Sequence, residues 1–252
     1  MDRFSFAKRL AKKCGEIAKR DFEKAKKFSY KKNSEIVTET DKKIERFIWK
    51  DIHKSFPEDS MLGEEFGLEK GSENVWIIDP IDGTRNFSSR IPFFAVSIGF
   101  YGEDDTFGIV YAPILNQFFY ARQGEGAFEN GKRIHCSDKT NLIKSVFLFC
   151  NGLDAKSRKR IGNILRKIVI KTNVKKLGSA AIETCYVASG RAEGFFVPGV
   201  HIWDVAAGAV IAKEAGCRVS DMNGKRFGIN SDSFLVAGPI YKKILNLVRS
   251  RK

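Results

Sequence analysis

The sequence predicts an α+β protein, and three observations carry that reading. Two amphipathic helices open the chain, a run of short strands with turns between them follows, and from Val146 onward strands and helices alternate. Strands in succession form an antiparallel sheet that helices cover, while alternation forms an α/β unit. The halves, residues 1–140 and 141–252, are expected to fuse into one rigid unit, because no repeat, low-complexity segment or Pro/Gly/Ser linker separates them.

Phe4, Ala7, Leu10, Cys14, Ile17 and Phe22 recur at helical spacing with lysines between them, which predicts a first helix of about five turns. Tyr30 to Thr38 is mixed and compatible with a strand pair. Asp41 opens a second helix with Ile44, Phe47, Ile48, Ile52 and Phe56 on one face, and Pro57 stops it. Met61-Leu62 is a short strand leading into Gly63-Glu64-Glu65. Trp76-Ile77-Ile78 reads as a short buried strand that Pro80 and Gly83 end. Strands are expected at Phe93–Tyr101, Phe107–Ala112 and Phe118–Arg122, and Asn130-Gly131 marks a two-residue hairpin.

In the second half, strands are expected at Val146–Cys150, Gly194–Val197, Cys217–Ser220 and Phe234–Ala237. Between them come a basic helix (Ser157–Val169), a helix of small residues (Gly178–Ala188) and a helix apolar nearly all round (Trp203–Ala215). The last of these must be buried. Ile240–Val248 closes the chain as a helix.

The formal net charge is +14 and it is unevenly spread. Residues 155–182 hold nine Lys/Arg and no acid, whereas residues 55–110 hold eleven Asp/Glu. Such asymmetry suits an anionic ligand or partner, although a solvated face explains it equally well. The basic stretch has neither aromatic interleaving nor a nucleic-acid module. No apolar run reaches the ~20 residues of a membrane span, and the N-terminus has no apolar core for a secretory signal. The five cysteines are scattered without a CxxC pair, which predicts free thiols in a reducing, cytoplasmic compartment.

Chemistry concentrates at Asp79-Pro80-Ile81-Asp82-Gly83-Thr84. Two carboxylates stand where a buried strand leaves the core, and a desolvated carboxylate needs a partner. A divalent cation is one such partner. Neither His nor Cys lies nearby for zinc, and all-oxygen donors suit magnesium or manganese. Gly83 lets a phosphate approach the backbone, and the Thr84 hydroxyl can orient a water. Three further acidic clusters stand out: Asp41, Glu64-Glu65 and Asp204. Each is also explained as an ordinary acid at a helix start or turn. The D-x-x-D spacing is one residue longer than the D-x-D-x-T of haloacid dehalogenase-like phosphatases, and no GxSxG elbow supports a serine hydrolase.

Together these clusters resemble the inositol monophosphatase family. The resemblance rests on Asp79–Thr84 and on Trp203-Asp204-Val205-Ala206-Ala207-Gly208, and it covers nearly the whole chain. Val37–Asp41, Gly63-Glu64-Glu65, Gly178-Ser179-Ala180-Ala181 and Glu214-Ala215-Gly216 fit in family order. The resemblance implies a layered α-β-α-β-α sandwich of the sugar phosphatase type, a homodimer, and a phosphomonoesterase using two or three Mg2+, with Mn2+ as a substitute. Glu64, Asp79 and the Ile81 carbonyl would hold one ion, and Asp79, Asp82 and Asp204 a second. A third ion would lie near Glu64. Thr84, Asp41 and Glu64 would activate the attacking water. Asp82, Gly83, Thr84, Ser179, Ala180 and Asp204 would meet the substrate, the Gly83 and Thr84 amides at its phosphate and Ser179 and Ala180 at its alcohol.

The implied substrate is inositol 1-phosphate or a related sugar phosphate. Two departures from the family pattern bear on that choice. Val197, six residues before Trp203, stands where inositol-selective members place a glutamate, and Glu35 stands where many have Asp. Lys175 and Lys176 could meet a second phosphate, which raises fructose 1,6-bisphosphate or 3′-phosphoadenosine 5′-phosphate as alternatives. A regulator that binds RNA or a transcription complex through the basic surface is the alternative of another class.

Overall fold

The computed structural model describes residues 2–24, 28–30, 36–152 and 154–249. Glu35 and the middle of the expected Tyr30–Thr38 strand pair lie outside them. Helix α1 (Arg3–Phe22) starts at Asp2, whose carboxylate accepts the Ser5 N–H at 2.8 Å. A short antiparallel pair, β1 (Phe28–Tyr30) and β2 (Ile36–Thr38), leads into helix α2 (Glu39–Ser55). Here Thr38 and Asp41 form a capping box, each side chain meeting the other residue's backbone N–H. This satisfies two of the donors that a helix start leaves open.

An eight-stranded sheet follows, built from β3 (Ser60–Gly63), β4 (Gly67–Glu69), β5 (Val75–Asp82), β6 (Ala95–Tyr101), β7 (Thr106–Ala112), β8 (Gln117–Arg122), β9 (Gly126–Glu129) and β10 (Lys132–Ile134). From β5 to β10 it is an antiparallel meander in sequence order. At the Asn130-Gly131 turn both residues have positive φ, as a tight hairpin requires. Strand β3 pairs with β5 in parallel, Gly63 beside Ile78, so the residue after β3, Glu64, emerges next to Asp79. A helical turn, α3 (Thr84–Ser88), follows β5 directly.

The second half makes a five-stranded mixed sheet from β11 (Val146–Phe149), β12 (Asn173–Lys175), β13 (Gly194–Pro198), β14 (Arg218–Ser220) and β15 (Ser233–Ala237). Helices α5 (Ala180–Ala188) and α6 (Ile202–Glu214) lie between the two sheets. Helices α4 (Ala155–Ile168) and α7 (Tyr241–Val248) cover the outer face of the small sheet, and α1 and α2 cover that of the large one. The result is five layers, α-β-α-β-α, with one apolar core under each helical layer. No helix among the described residues is long and apolar enough to cross a membrane.

The strand at the signature is longer than its apolar run predicts. Pro80 does not end it, and β5 continues to Asp82 with every residue from Trp76 onward buried. The reason is a β-bulge. Asp79 pairs with Ser97 and Asp82 with Ala95, so three steps along β5 oppose two along β6. The irregular stretch accommodates the proline, which has no N–H to give a ladder.

Helix α6 sits so close to the large sheet that side chains are excluded. A Cβ on Gly108 would lie 2.1 Å from the Ala207 carbonyl oxygen. Gly108→Ala is therefore expected to destabilise the protein by about 1–3 kcal/mol, as overpacking does. Gly162→Ala, in α4 with nothing within 4 Å of the new Cβ, should instead stabilise it by roughly 0.5–1 kcal/mol. Urea unfolding of the two variants checks both signs.

Candidate active site

In a regular strand, residues three apart face opposite sides. The extra residue of the bulge brings Asp79 and Asp82 to the same side, and both line one cavity of about 390 Å³. The cavity lies between the C-terminal end of β5 and the N-termini of α5 and α6. Glu64, Ile81, Gly83, Thr84, Ala180 and Asp204 also reach its wall. Eight of the residues singled out from the sequence thus converge from β5, α3, α5, α6 and the turn after β3.

The other two sit behind the wall. Asp41 is fully buried and accepts from the Thr38 N–H at 2.9 Å, from the Thr38 hydroxyl, and from the Thr84 hydroxyl at 3.2 Å. Thr84 Oγ1 also lies 2.9 Å from the Ile81 carbonyl. The expected Thr84–Asp41 pair is therefore present. Ser179 is only 1% exposed and does not line the cavity. Its hydroxyl donates to the Asp82 carboxylate, which places it behind Asp82. The Ala180 and Ala181 N–H groups meet the same carboxylate at 3.1 and 2.9 Å, and Asp82 thereby caps helix α5 from a neighbouring strand.

Burial sets the electrostatics. Asp79 is 2% exposed and Asp82 6%. Desolvation raises the Asp79 pKa well above its ordinary value, and the charges of Glu64, Asp82, Asp204 and Asp41 raise it further. Asp82 rises to about 7, chiefly by burial and against the donors from Ser179, Ala181 and Ala180. Asp41 also rises to about 7, by burial first and then by the nearby Glu64 and Glu65. The principal charges acting on Asp79 are all of its own sign.

Among the described residues, no three His, Cys, Asp or Glu side chains are drawn tightly enough together to hold an ion between them. Three of the cavity carboxylates are instead turned onto local donors. Asp79 accepts from the Ile81 N–H at 3.0 Å, Asp204 from the His201 N–H at 3.1 Å, and Asp82 from the start of α5. The chemistry of the donors nevertheless fits a hard divalent cation. They are all oxygen, several are carboxylates, and they sit where desolvation penalises charge that has no counter-ion.

Among the buried carboxylates that the sequence did not single out, Glu45 and Glu183 touch segments that line or carry the site. Glu45, on α2, accepts from the Glu65 and Phe66 N–H groups, each at 2.9 Å, and so anchors the turn that carries Glu64. Glu183, on α5, accepts from the Leu177 N–H at 2.9 Å and from the Cys150 thiol at 3.0 Å. Burial raises Glu45 to about 7 and Glu183 to about 8. Neither residue belongs to a motif. The only sequence signal is a charged residue at an inward position of its helix.

The family model of the inositol monophosphatases matches residues 2–252. The chain belongs to the inositol monophosphatase family. It is a phosphomonoesterase of that family. A fructose-1,6-bisphosphatase/inositol-1-monophosphatase of Thermotoga maritima is 36% identical over 255 residues, covering 98% of this chain and 96% of that one. The Nus factor SuhB of Pasteurella multocida is 35% identical, covering 97% and 95%. Among solved structures, an inositol monophosphatase of Thermotoga maritima superposes with a TM-score of 0.91 at 34% identity, covering 98% of this chain and 97% of that one. At that similarity the layered architecture is shared with family members throughout.

The raised carboxyl pKa values have a consequence for stability. Where the folded pKa exceeds the unfolded one, the folded state holds the extra protons, so stability falls as pH rises between the two values. For Asp41 and Asp82 that window runs from the ordinary 3.8 to about 7. In chelator, the thermal midpoint should therefore fall as pH is raised across this window. Millimolar magnesium should restore it at pH 7.5, and Asp79→Asn should raise the midpoint in chelator while weakening the response to magnesium. A midpoint that ignores magnesium at pH 7.5 would remove the cation from the site.

Proposed function

We propose that this phosphomonoesterase is magnesium-dependent and hydrolyses inositol 1-phosphate or a related sugar phosphate. The carrying observation is the bulge in β5, which turns Asp79 and Asp82 into one cavity with Glu64 and Asp204. On this reading Glu64, Asp79, the Ile81 carbonyl, Asp82 and Asp204 hold two or three Mg2+ (or Mn2+). When bound, the ions would offset phosphoryl charge and lower the pKa of water. Everything else falls to the chain's own groups. The Gly83 and Thr84 N–H groups receive the phosphate, and Gly83 can do so because its φ of 91° suits a residue without Cβ. Thr84 holds the attacking water, its hydroxyl proton directed toward Asp41. Asp41 is buried and poised near neutrality, so it can take up the proton the water gives away. Ala180 borders the leaving alcohol.

The second reading, fructose 1,6-bisphosphate, is favoured by two cations of the cavity lining. Arg158 from α4 and Lys176 after β12 both line it, and both side chains are exposed. Lys175 does not line it. Val197, only 3% exposed, contributes an apolar patch where a glutamate would bond ring hydroxyls. A cavity lined by cations as well as carboxylates suits a substrate with an anion at each end. The exposed Lys156, Lys159, Arg166 and Lys167 of α4 carry no aromatic ring among them. That face suits a solvated surface better than a stacking platform for RNA. We include a homodimer and a reducing compartment in the proposal. Exposed Ile143 and Ile170 share one surface depression, and all five cysteines are free.

A panel of phosphomonoesters with magnesium, with and without lithium, tests the reading. Asp79→Asn should lower kcat on the preferred ester roughly 100-fold or more. Release of phosphate from no sugar, polyol or nucleotide ester would end the proposal. Arg158→Ala and Lys176→Ala should each lower kcat/KM for fructose 1,6-bisphosphate about 10-fold, as expected for a lost charge-assisted bond, and inositol 1-phosphate much less. Equal losses on both esters would mean that neither cation reads a second phosphate.

A further inference from the structure

The wall that faces the leaving alcohol is a loop. Lys176, Leu177 and Gly178 run from β12 to α5 and line the cavity, and Gly178 takes a φ of 89°. Loop backbone in such a position has N–H and C=O groups to satisfy, and its ties to neighbouring elements decide its shape. Two ties involve Leu177. Its carbonyl accepts from Asn86 Nδ2 at 2.8 Å, and its N–H donates to Glu183 Oε1 at 2.9 Å. The other oxygen of Glu183 accepts from the thiol of Cys150, which borders the same cavity from the end of β11. One carboxylate, 0% exposed in the first turn of α5, thus joins two separate stretches of the wall from beneath.

Helix α5 does not need this carboxylate for its own start. Ser179 caps it, and Asp82 takes the Ala180 and Ala181 N–H groups. Packing does not need it either, because an apolar residue would be cheaper in that place than a buried acid. What remains is its hold on the wall.

We propose that Glu183 is a positioning residue for the alcohol half of the substrate, setting the place of Leu177 and Gly178 through its hydrogen bonds to Leu177 and Cys150. The proposal rests on the phosphatase reading above. It predicts that removing the carboxylate harms recognition of a shaped polyol more than it harms the chemistry on the phosphate.

The test compares the wild type, Glu183→Ala and Glu183→Gln on inositol 1-phosphate, fructose 1,6-bisphosphate and p-nitrophenyl phosphate. Amide exchange of the peptide spanning residues 173–180 is followed by mass spectrometry without substrate. Glu183→Ala should raise KM for the preferred sugar ester about 5- to 10-fold, the effect of one lost buried hydrogen bond. It should change kcat less, and its loss in kcat/KM on p-nitrophenyl phosphate should be clearly smaller. Its 173–180 peptide should exchange faster. Glu183→Gln keeps an oxygen for Leu177 and should recover most of the lost KM. Proportional losses on all three esters with a lowered thermal midpoint in both variants would show a structural role and overturn the proposal, as would unchanged KM and exchange. If the wild type hydrolyses no ester, the phosphatase reading fails and takes the substrate role with it. If the wild type is active and the variants match it, only the role of Glu183 fails.

Discussion

A carboxylate removed from water must be met by a proton, a cation, or a set of N–H and O–H donors. Asp79 and Asp82 are almost wholly removed from water, lie within one strand, and share one cavity with two more acids. Much of the surrounding architecture supplies what they need. The bulge in β5 frees the Ile81 N–H for Asp79. The start of α5 is aimed at Asp82, so a strand of the large sheet caps a helix of the middle layer. The same contact fixes the spacing between the sheets at the site. The donors only partly compensate, as the upward pKa shifts show, and the remaining deficit is what a divalent cation would fill.

The same device recurs away from the site. Glu45 holds the turn after β3, Glu183 the loop before α5, and Glu193 the N–H of Val146 at the start of β11. Asp59 accepts from Arg3 and from the Trp76 indole, tying α1 to the large sheet. Among the described residues, the fully buried charged side chains are all acidic. The net charge of +14 therefore understates how basic the surface is, because many of its compensating acids are inside. An anionic substrate meets a positive exterior and is then drawn toward a cavity floored by acids. That arrangement favours a negative ligand only when the acids are neutralised, which again points to bound cations.

The α+β class was legible because the longer elements have strong local signals, whereas the five-layer stacking was implied by the family resemblance. Helix α6 is apolar nearly all round, and such a helix must be buried. The Asn130-Gly131 hairpin announces itself by its backbone needs. Strand β5 was not legible beyond Ile78, since proline normally ends a strand and a bulge leaves no mark in composition. Asp41 could be read as a helix-start acid or as a functional group, and the structure shows both: it completes the Thr38 capping box and reaches Thr84. Glu45, Glu183 and Arg158 lay beyond reach for a common reason. Their roles depend on backbone N–H groups or a cavity wall brought near by tertiary packing, and a sequence pattern carries no trace of such partners.

The site divides along the same line. The half proposed to meet the phosphate comes from one continuous stretch, Asp79 to Thr84, where strand, bulge and helical turn follow each other without interruption. Short-range geometry determines it, so it can be written as a motif. The half proposed to meet the alcohol is assembled from the ends of β11, β12 and β13 and the start of α5, and Arg158 of α4 also lines the cavity. No short motif can encode three loops on a second sheet. The two halves are tied through Asp82 at the start of α5 and through Asn86 at Leu177. Family membership therefore constrains the phosphate chemistry more tightly than the alcohol. Selectivity rests on weak, distributed contacts such as those Glu183 makes from behind the wall.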